Sequence, residues 1–369
     1  MIEYYKKIKK KGLRWIFWRI GDEILNPKIL ILKTIIDIAL NTKKKLFNKK
    51  IINEKKYLYA IYDLEISPIT YNIVEYLCIA EIESSKLEKN GFIIVFVPKK
   101  NNENDFETEY NKIINNDSSN WRVDNILIQT SRLSEKCKGI LILPDRDSVK
   151  EVLRNNETYP YLYDGINLRY ADVEHFYKSV DKPGRFIGLK ASIQGKNYIN
   201  KYIKENGINK KIITIIIRNY GYDISRNSKL NEWVEFFKYL KLKNFYPIVI
   251  PDTDDAFNQT LPFDEKHIFR EACWNVGLRM ALYEASYINL SVVGGAGAIA
   301  LFNSSCSVIM MNMLPEGSTV TTIEAYQKIG YEIGEKWRFL SPKQKLSFLP
   351  DTFENIKFEF DDFIKNIND

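Results

Sequence analysis

Short runs of β-branched and aromatic residues recur along this 369-residue chain, each followed by a stretch with helical spacing, and that alternation admits few folds. The apolar runs fall at 57–62, 92–97, 139–143, 212–217, 246–250, 289–293 and 307–311. Several are apolar at nearly every position, the mark of strands covered on both faces. Helical patterns intervene over 71–86, 187–206, 229–240 and 264–287, and another starts near Ala296. The expectation is an α/β protein with mainly parallel sheets. The chain is long for one core, and Pro183-Gly184 is the strongest breaker near its middle. These signals place a basic amphipathic leader at 1–50, an N-terminal α/β domain at 51–180 and a C-terminal α/β domain at 181–369.

Composition narrows the chemistry. An apolar fraction of 45% with 27% charged residues is that of a globular protein, which excludes global disorder. Cys78, Cys137, Cys273 and Cys306 lie far apart and form no C-x-x-C pair, and His175 and His267 are the only imidazoles. That spacing disfavours both a structural zinc site and a disulfide framework, so the thiols read as free and buried. With so little histidine, a general base in this chain is expected to be a carboxylate.

The net charge of +7 is unevenly placed. Residues 1–50 hold 14 Lys/Arg against 4 Asp/Glu, and the remainder is slightly acidic. A nucleic-acid groove over the domains is therefore not expected. The basic end suits an anionic surface. Within 1–26, Tyr4, Tyr5, Trp15 and Trp18 can share a helical face flanked by lysines and arginines, the composition of a helix lying in a lipid interface. A terminal hairpin packed on the protein's own body is the other reading. Residues 29–41 are apolar but broken by Lys33 and Asp37, and a span needs roughly 20 apolar residues. No signal-peptide pattern is present.

Ligands of open parallel sheets bind beyond the C-terminal strand ends. Three such ends carry unusual residues. Arg218 follows the run 212–217, where an arginine fixed at its base can present its fork to phosphate or simply be solvated. Gly294-Gly295-Ala296-Gly297 passes from strand to helix, which suits close approach of an anion or a tight packing turn. Asp252-Thr253-Asp254-Asp255 follows the run 246–250 and can cap a turn, touch a polar ligand or hold a divalent cation. Farther on, Thr319 lies in a hydroxyl-rich loop that could reach phosphate oxygens, and Thr321 with Glu324 is spaced as a capping box. Trp274, Arg279 and Tyr283 ride the 264–287 pattern, and the two aromatics are expected in the core. In the first half, Asp63 and Glu65 lie past a strand end, with Asp164 and Glu174 farther along. Such carboxylates are ordinarily just solvated.

On these residues the C-terminal half, over about 185–365, resembles the donor-binding domain of GT-B glycosyltransferases. The position of Arg218 is similar to that of an arginine in fucosyltransferase-like GT-B enzymes, with Arg218-Asn219 in place of the usual basic pair. Tyr62-Asp63-Leu64 with Pro68-Ile69-Thr70, and the closing run Trp337…Gln344…Asp351…Ile356…Phe360, resemble bacterial proteins of surface-glycan synthesis. The resemblance implies two Rossmann-like domains facing a cleft. It implies a nucleotide-sugar donor held by Arg218, Asp252, Asp254, Gly294, Gly295, Ala296, Gly297 and Thr319, with no metal or other cofactor. Asp63 or Glu65 would serve as base toward a glycan or lipid-linked acceptor, with residues 1–26 holding a cytoplasmic enzyme at the inner membrane face. A nucleotide-sugar epimerase, a non-catalytic nucleotide-binding assembly protein and a metal-dependent transferase using Asp252 and Asp254 are the rival readings.

Overall fold

The computed structural model describes residues 56–99, 116–165, 176–177, 180–258 and 260–368, with isolated helical positions between 31 and 42. Residues 1–26, expected to meet an anionic surface, and Glu174 and His175 lie outside the described residues. Two compact units are present. One comprises Met1–Pro68, Glu83–Glu103 and Lys138–Ala171, the other Ile69–Ile82, Asn104–Cys137 and Asp172–Asp369.

The first unit is built on strand β1 (Leu58–Asp63), followed in the chain by helix α1 (Ile73–Lys86), through which the division passes, and by β2 (Phe92–Val97). After β3 (Cys137–Ile142) come helix α2 (Val149–Asn155) and the two-residue β4 (Thr158–Tyr159). The sheet order is β3-β2-β1-β4, and β1 pairs in parallel with both β2 and β4. Ile61, Val95, Val97, Leu143, Val149, Val152 and Tyr163 form a core on this sheet.

The second unit runs through α3 (Ile193–Glu205), β5 (Ile212–Ile216), α4 (Leu230–Leu242), β6 (Tyr246–Ile250), α5 (Val276–Ala285), β7 (Ile288–Val292), β8 (Val308–Met311), α6 (Ile323–Lys328), β9 (Gln344–Leu346) and α7 (Phe353–Asn368). All five strands are parallel, in the order β6-β5-β7-β8-β9. Every residue of β5, β7 and β8 is buried, as continuous apolar runs in a two-sided parallel sheet require. Trp233, Phe236, Phe237 and Leu240 project from α4 into the same core as Ile356, Phe360 and Phe363 of α7. Each unit thus carries the expected Rossmann-type α/β architecture.

Local chemistry moved several boundaries. The helix expected over 264–287 is interrupted because the side chain of Asn275 accepts a hydrogen bond from Leu278 N and its backbone is extended, so a new helix begins there. Trp274, expected in the core, lies just before this break and is 41% exposed, edge-on to Trp121. The helix expected from 187 starts at Ile193, capped by Ser192. Upstream, Gly188 takes φ +74° against Phe302 O, where a Cβ would come within 2.1 Å. Strands β4 and β9 are too short to show a period. No helix among the described residues is long and apolar enough to cross a membrane.

Asp351 is fully buried ahead of α7, and its Oδ2 accepts hydrogen bonds from Trp233 Nε1 and Lys229 N, both at 2.9 Å. One carboxylate therefore fixes the start of α4 beside the start of α7. Asp351→Ala is expected to cost roughly 2 kcal/mol by stranding the indole N–H, read as a lowered midpoint in urea unfolding with an unchanged slope.

Candidate functional site

The C-terminal sheet divides at β5. The chain leaves that strand to one side for β6 and returns to its other side for β7, so two neighbouring strand ends feed segments that head apart. Ile216 pairs with Ser291 there, which brings Arg218 and Gly294 side by side at the crevice where such sheets bind ligands. The contact is tight: a Cβ on Gly294 would stand 3.2 Å from Arg218 Cδ.

Arg218 opens a loop whose two ends are tied together. Its N–H donates to Ser228 Oγ at 3.0 Å, and its carbonyl accepts from Ser228 N at 2.9 Å. The guanidinium folds over that loop, donating to Tyr222 O at 2.6 Å, Asp223 O at 3.2 Å and Asn227 Oδ1. All three acceptors are uncharged. Arg226 lies in the same loop, and its buried Nε has no hydrogen-bond partner. Among the described residues neither arginine forms an ion pair. Burial first, then the neighbouring Arg226 charge, pull Arg218 down to about 10, and burial also lowers Arg226. The Asp223 and Asp252 carboxylates offset part of this charge, and two partly desolvated cations side by side still favour an anion between them. Asp223, at φ +52°, accepts a 2.7 Å bond from Ser318 Oγ and so fastens the 315–322 loop to the arginine loop.

The other expected donor-site residues fall around this centre with different roles. Gly295 is required by packing, since a Cβ would meet Tyr71 Cβ at 3.0 Å, and Gly297 more so, at 2.3 Å from Ser291 Oγ. Ala296 O accepts from Tyr283 OH at 3.0 Å, and Arg279, also buried, donates to Ala272 O at 2.7 Å nearby on α5. Asp252 serves the turn: its oxygens accept from Asn219 N at 2.9 Å and Thr253 N at 2.7 Å, and burial raises its carboxyl. Asp255 holds Asn219 Nδ2 at 2.8 Å, while Asp254 is exposed. Thr319 is exposed, and Ser318 rather than Thr319 reaches the arginine loop. Thr322, not Thr321, caps α6, because its hydroxyl accepts from Ala325 N. No cluster of three His, Cys, Asp or Glu with metal-binding geometry occurs among the described residues.

In the N-terminal unit Asp63 ends β1 and is 2% exposed. Arg146 grips it with both fork nitrogens, at 2.7 Å to Oδ1 and 2.6 Å to Oδ2. Tyr163 OH adds 2.6 Å to Oδ2, and Glu65 N adds 3.0 Å to Oδ1. Both oxygens are therefore engaged, which corrects the expectation that Asp63 is an available base. It is a buried anchor that ties the end of β1 to the Pro144–Asp147 turn. Glu65 sits half-buried two residues on, in the turn after β1, and Asp164 is also half-buried.

The fold has a solved counterpart. ADP-heptose LPS heptosyltransferase II of E. coli matches with a TM-score of 0.52 at 10% identity, over 85% of this chain and 100% of that one. The fold is that of the GT-B glycosyltransferases. A glycosyl transferase family 9 protein from Veillonella parvula matches at 8% identity and a TM-score of 0.45, over 70% of this chain and 82% of that one. The wall teichoic acid polymerase TagF matches at 12% identity and a TM-score of 0.26, over 90% and 89%. No family model and no curated protein matches the sequence.

Sequence reasoning saw Arg226 close behind Arg218 but gave it no role, and it gave none to Arg146 or Glu75. Arg226 carries no motif, though its spacing of eight from Arg218 within one polar loop was visible. Glu75, in the first turn of α1, is 8% exposed and accepts a 2.7 Å bond from Tyr177 OH, while its Oε2 has no partner. Burial pushes its carboxyl up to about 7 against the opposing Tyr177 bond, and Cys78 is the other titratable neighbour on its helix.

Two measurements follow from these buried carboxyls. Arg146→Met strands the Asp63 charge and is expected to destabilise by about 3 kcal/mol, a loss that Asp63→Asn in the same chain relieves, read by denaturant unfolding. For Glu75, the folded chain keeps its proton to about 7, whereas the unfolded chain releases it near 4.5. Its contribution is therefore complete below the lower value and is lost as pH rises across that window. The stability of wild type relative to Glu75→Gln should fall between those values by up to roughly 3 kcal/mol, seen in paired melts at pH 4.5 and pH 7.5.

Proposed function

We propose that this chain is a glycosyltransferase that moves a sugar from a nucleotide-sugar donor to a glycan or lipid-linked acceptor in surface-polysaccharide synthesis. The observation that carries the reading is the Arg218–Arg226 pair, two cations without a carboxylate partner at the switch point of a parallel sheet. A diphosphate supplies the charge and the acceptor oxygens that this pair needs, and a guanidinium fork matches phosphate geometry. The GT-B fold, shared with an enzyme named for ADP-heptose, agrees with that ligand class.

In this reading Arg218 exchanges its loop carbonyls for phosphate oxygens, and the open backbone at Gly294 leaves room for the exchange. The acceptor hydroxyl oxygen attacks the anomeric carbon, its proton passes to a carboxylate, and the bond to the diphosphate breaks with its electron pair going to the phosphate oxygen. Charge growing on that leaving group is met by cations already in place, so no divalent ion or other cofactor is required. Glu65, half-buried in the turn after β1, takes the role of base in this reading. Asp252 supports the donor site from its turn, and Asp254 and Thr319 lie at its exposed margin. The basic aromatic stretch 1–26 would keep the enzyme at the inner membrane face, close to a lipid-linked acceptor.

Thermal shift against a panel of nucleoside diphosphates and nucleotide sugars, with and without EDTA, tests this. One nucleotide family should raise the melting temperature with EDTA present, and Arg218→Ala or Arg226→Ala should weaken that binding by about tenfold or more. A protein that no nucleotide stabilises is not this enzyme. Conversion of free nucleotide sugar without an acceptor would instead identify an epimerase.

A further inference from the structure

A second feature of the C-terminal unit lies apart from the phosphate contacts. Trp274 leaves 41% of its surface exposed, and the half-buried Trp121 meets it edge-on, with ring centroids 5.2 Å apart and planes at 85°. Both indoles are held through their backbones. Asn125 Nδ2 donates to Trp121 O at 2.9 Å, and Gln129 Nε2 donates to Trp274 O at 3.1 Å and to Asn125 Oδ1 at 3.3 Å. The other end of the same amide, Gln129 Oε1, accepts from Val276 N at 2.8 Å. Two side-chain amides thus bolt the helix carrying one indole to the turn carrying the other. An open aromatic ring fixed in this way is a surface prepared for contact, because little order remains to be imposed when something lands on it.

Two independent routes join this aromatic corner to the arginine loop. Arg122, the residue after Trp121, lies 5.2 Å over the ring of Tyr220, and the backbone of Tyr220 is held by Asn227, the same side chain that takes the Arg218 fork. Cys273, the residue before Trp274, donates to Pro251 O at 3.2 Å, at the head of the turn whose Asp252 accepts from Asn219 N. The surface along both routes is open: Asn219, Gly221 and Asp254 are exposed, and a Cβ built on Gly221 would have no neighbour within 4 Å.

We infer that Trp274, backed by Trp121, is the platform on which the base of the nucleotide stacks while its phosphates lie at Arg218 and Arg226, an assignment that rests on the proposed transferase reading. A nucleobase is flat, carries a π-face on each side and is tethered to the phosphate chain, so it matches an exposed indole joined to a cation pair. Gln129, the polar side chain bonded to the Trp274 backbone, has its amide nitrogen on two acceptors and its oxygen on Val276 N. What the corner offers is therefore an aromatic face.

Calorimetry on the full chain with inorganic pyrophosphate, with ADP, GDP, UDP, CDP and dTDP, and with the nucleotide sugar of the best-bound base tests the assignment. The best nucleoside diphosphate should bind about tenfold or more tighter than pyrophosphate, and Trp274→Ala should erase that advantage while leaving pyrophosphate affinity unchanged. Trp274→Phe, which keeps a smaller ring, should fall between. Should Trp274→Ala fold poorly, the indole resonances of Trp274 in the wild type, assigned by their absence in Trp274→Phe, must move with the nucleoside diphosphate and stay in place with pyrophosphate. Equal affinity for pyrophosphate and every nucleoside diphosphate, or a Trp274→Ala variant that binds nucleoside diphosphate as wild type does, would overturn the base platform and leave the anion site standing. A loss confined to the nucleotide sugar would give the ring to the sugar and overturn it as well. If neither pyrophosphate nor any nucleoside diphosphate binds, the transferase reading itself falls, and the platform with it.

Discussion

Arg218 leaves the end of a fully buried strand and runs against the bare backbone of Gly294, and most of the C-terminal site depends on that contact. Arg218 lies where it does because β5 and β7 are neighbours whose continuations part, and a Cβ at Gly294 would crowd its side chain at 3.2 Å. Buried β5 fixes the root of the side chain, the tied loop 218–228 fixes its path, and Arg226 raises the local positive charge. Remove the parallel order of strands and none of these groups would meet.

The two units use carboxylates in the same structural way. Asp63 is held by a bidentate arginine at the end of β1, and Asp252 holds the backbone of Asn219 at the end of β6. Each carboxylate lies at the carboxyl edge of its own sheet, where strand ends would otherwise leave backbone donors and loops unfastened. The acids nearest the expected ligand sites thus stiffen the rims, whereas Arg218 has neutral acceptors and Arg226 an unpartnered nitrogen.

How much of this was legible depends on range. The runs around β1, β2, β5, β6, β7 and β8 were readable because burial on both faces writes itself into consecutive residues. Arg218 and the Gly294–Gly297 turn were readable because strand ends in parallel sheets have a known use. The partners were not. Asp63 finds Arg146 at a separation of 83 residues and Trp233 finds Asp351 at 118, and no local pattern encodes such pairings. The break at Asn275 was misread for a different reason: a capping asparagine inside a continuous apolar period looks like one long helix until its side chain is seen on Leu278 N. Gly295 and Gly297 answered to packing against Tyr71 and Ser291, contacts equally invisible in the sequence.

The hydrogen bond from Ser318 to Asp223 has a consequence for selectivity. The arginine loop satisfies the Arg218 fork with three internal acceptors and is clipped to a second loop through Asp223. An incoming anion must outcompete those acceptors before it gains anything from the cation. Chloride offers one charge and no oxygen and bicarbonate one charge on a small ion, whereas a polyphosphate chain offers several charged oxygens at once. For the proposed diphosphate donor, the self-engaged arginine would therefore act as a threshold against the abundant small anions of a cell.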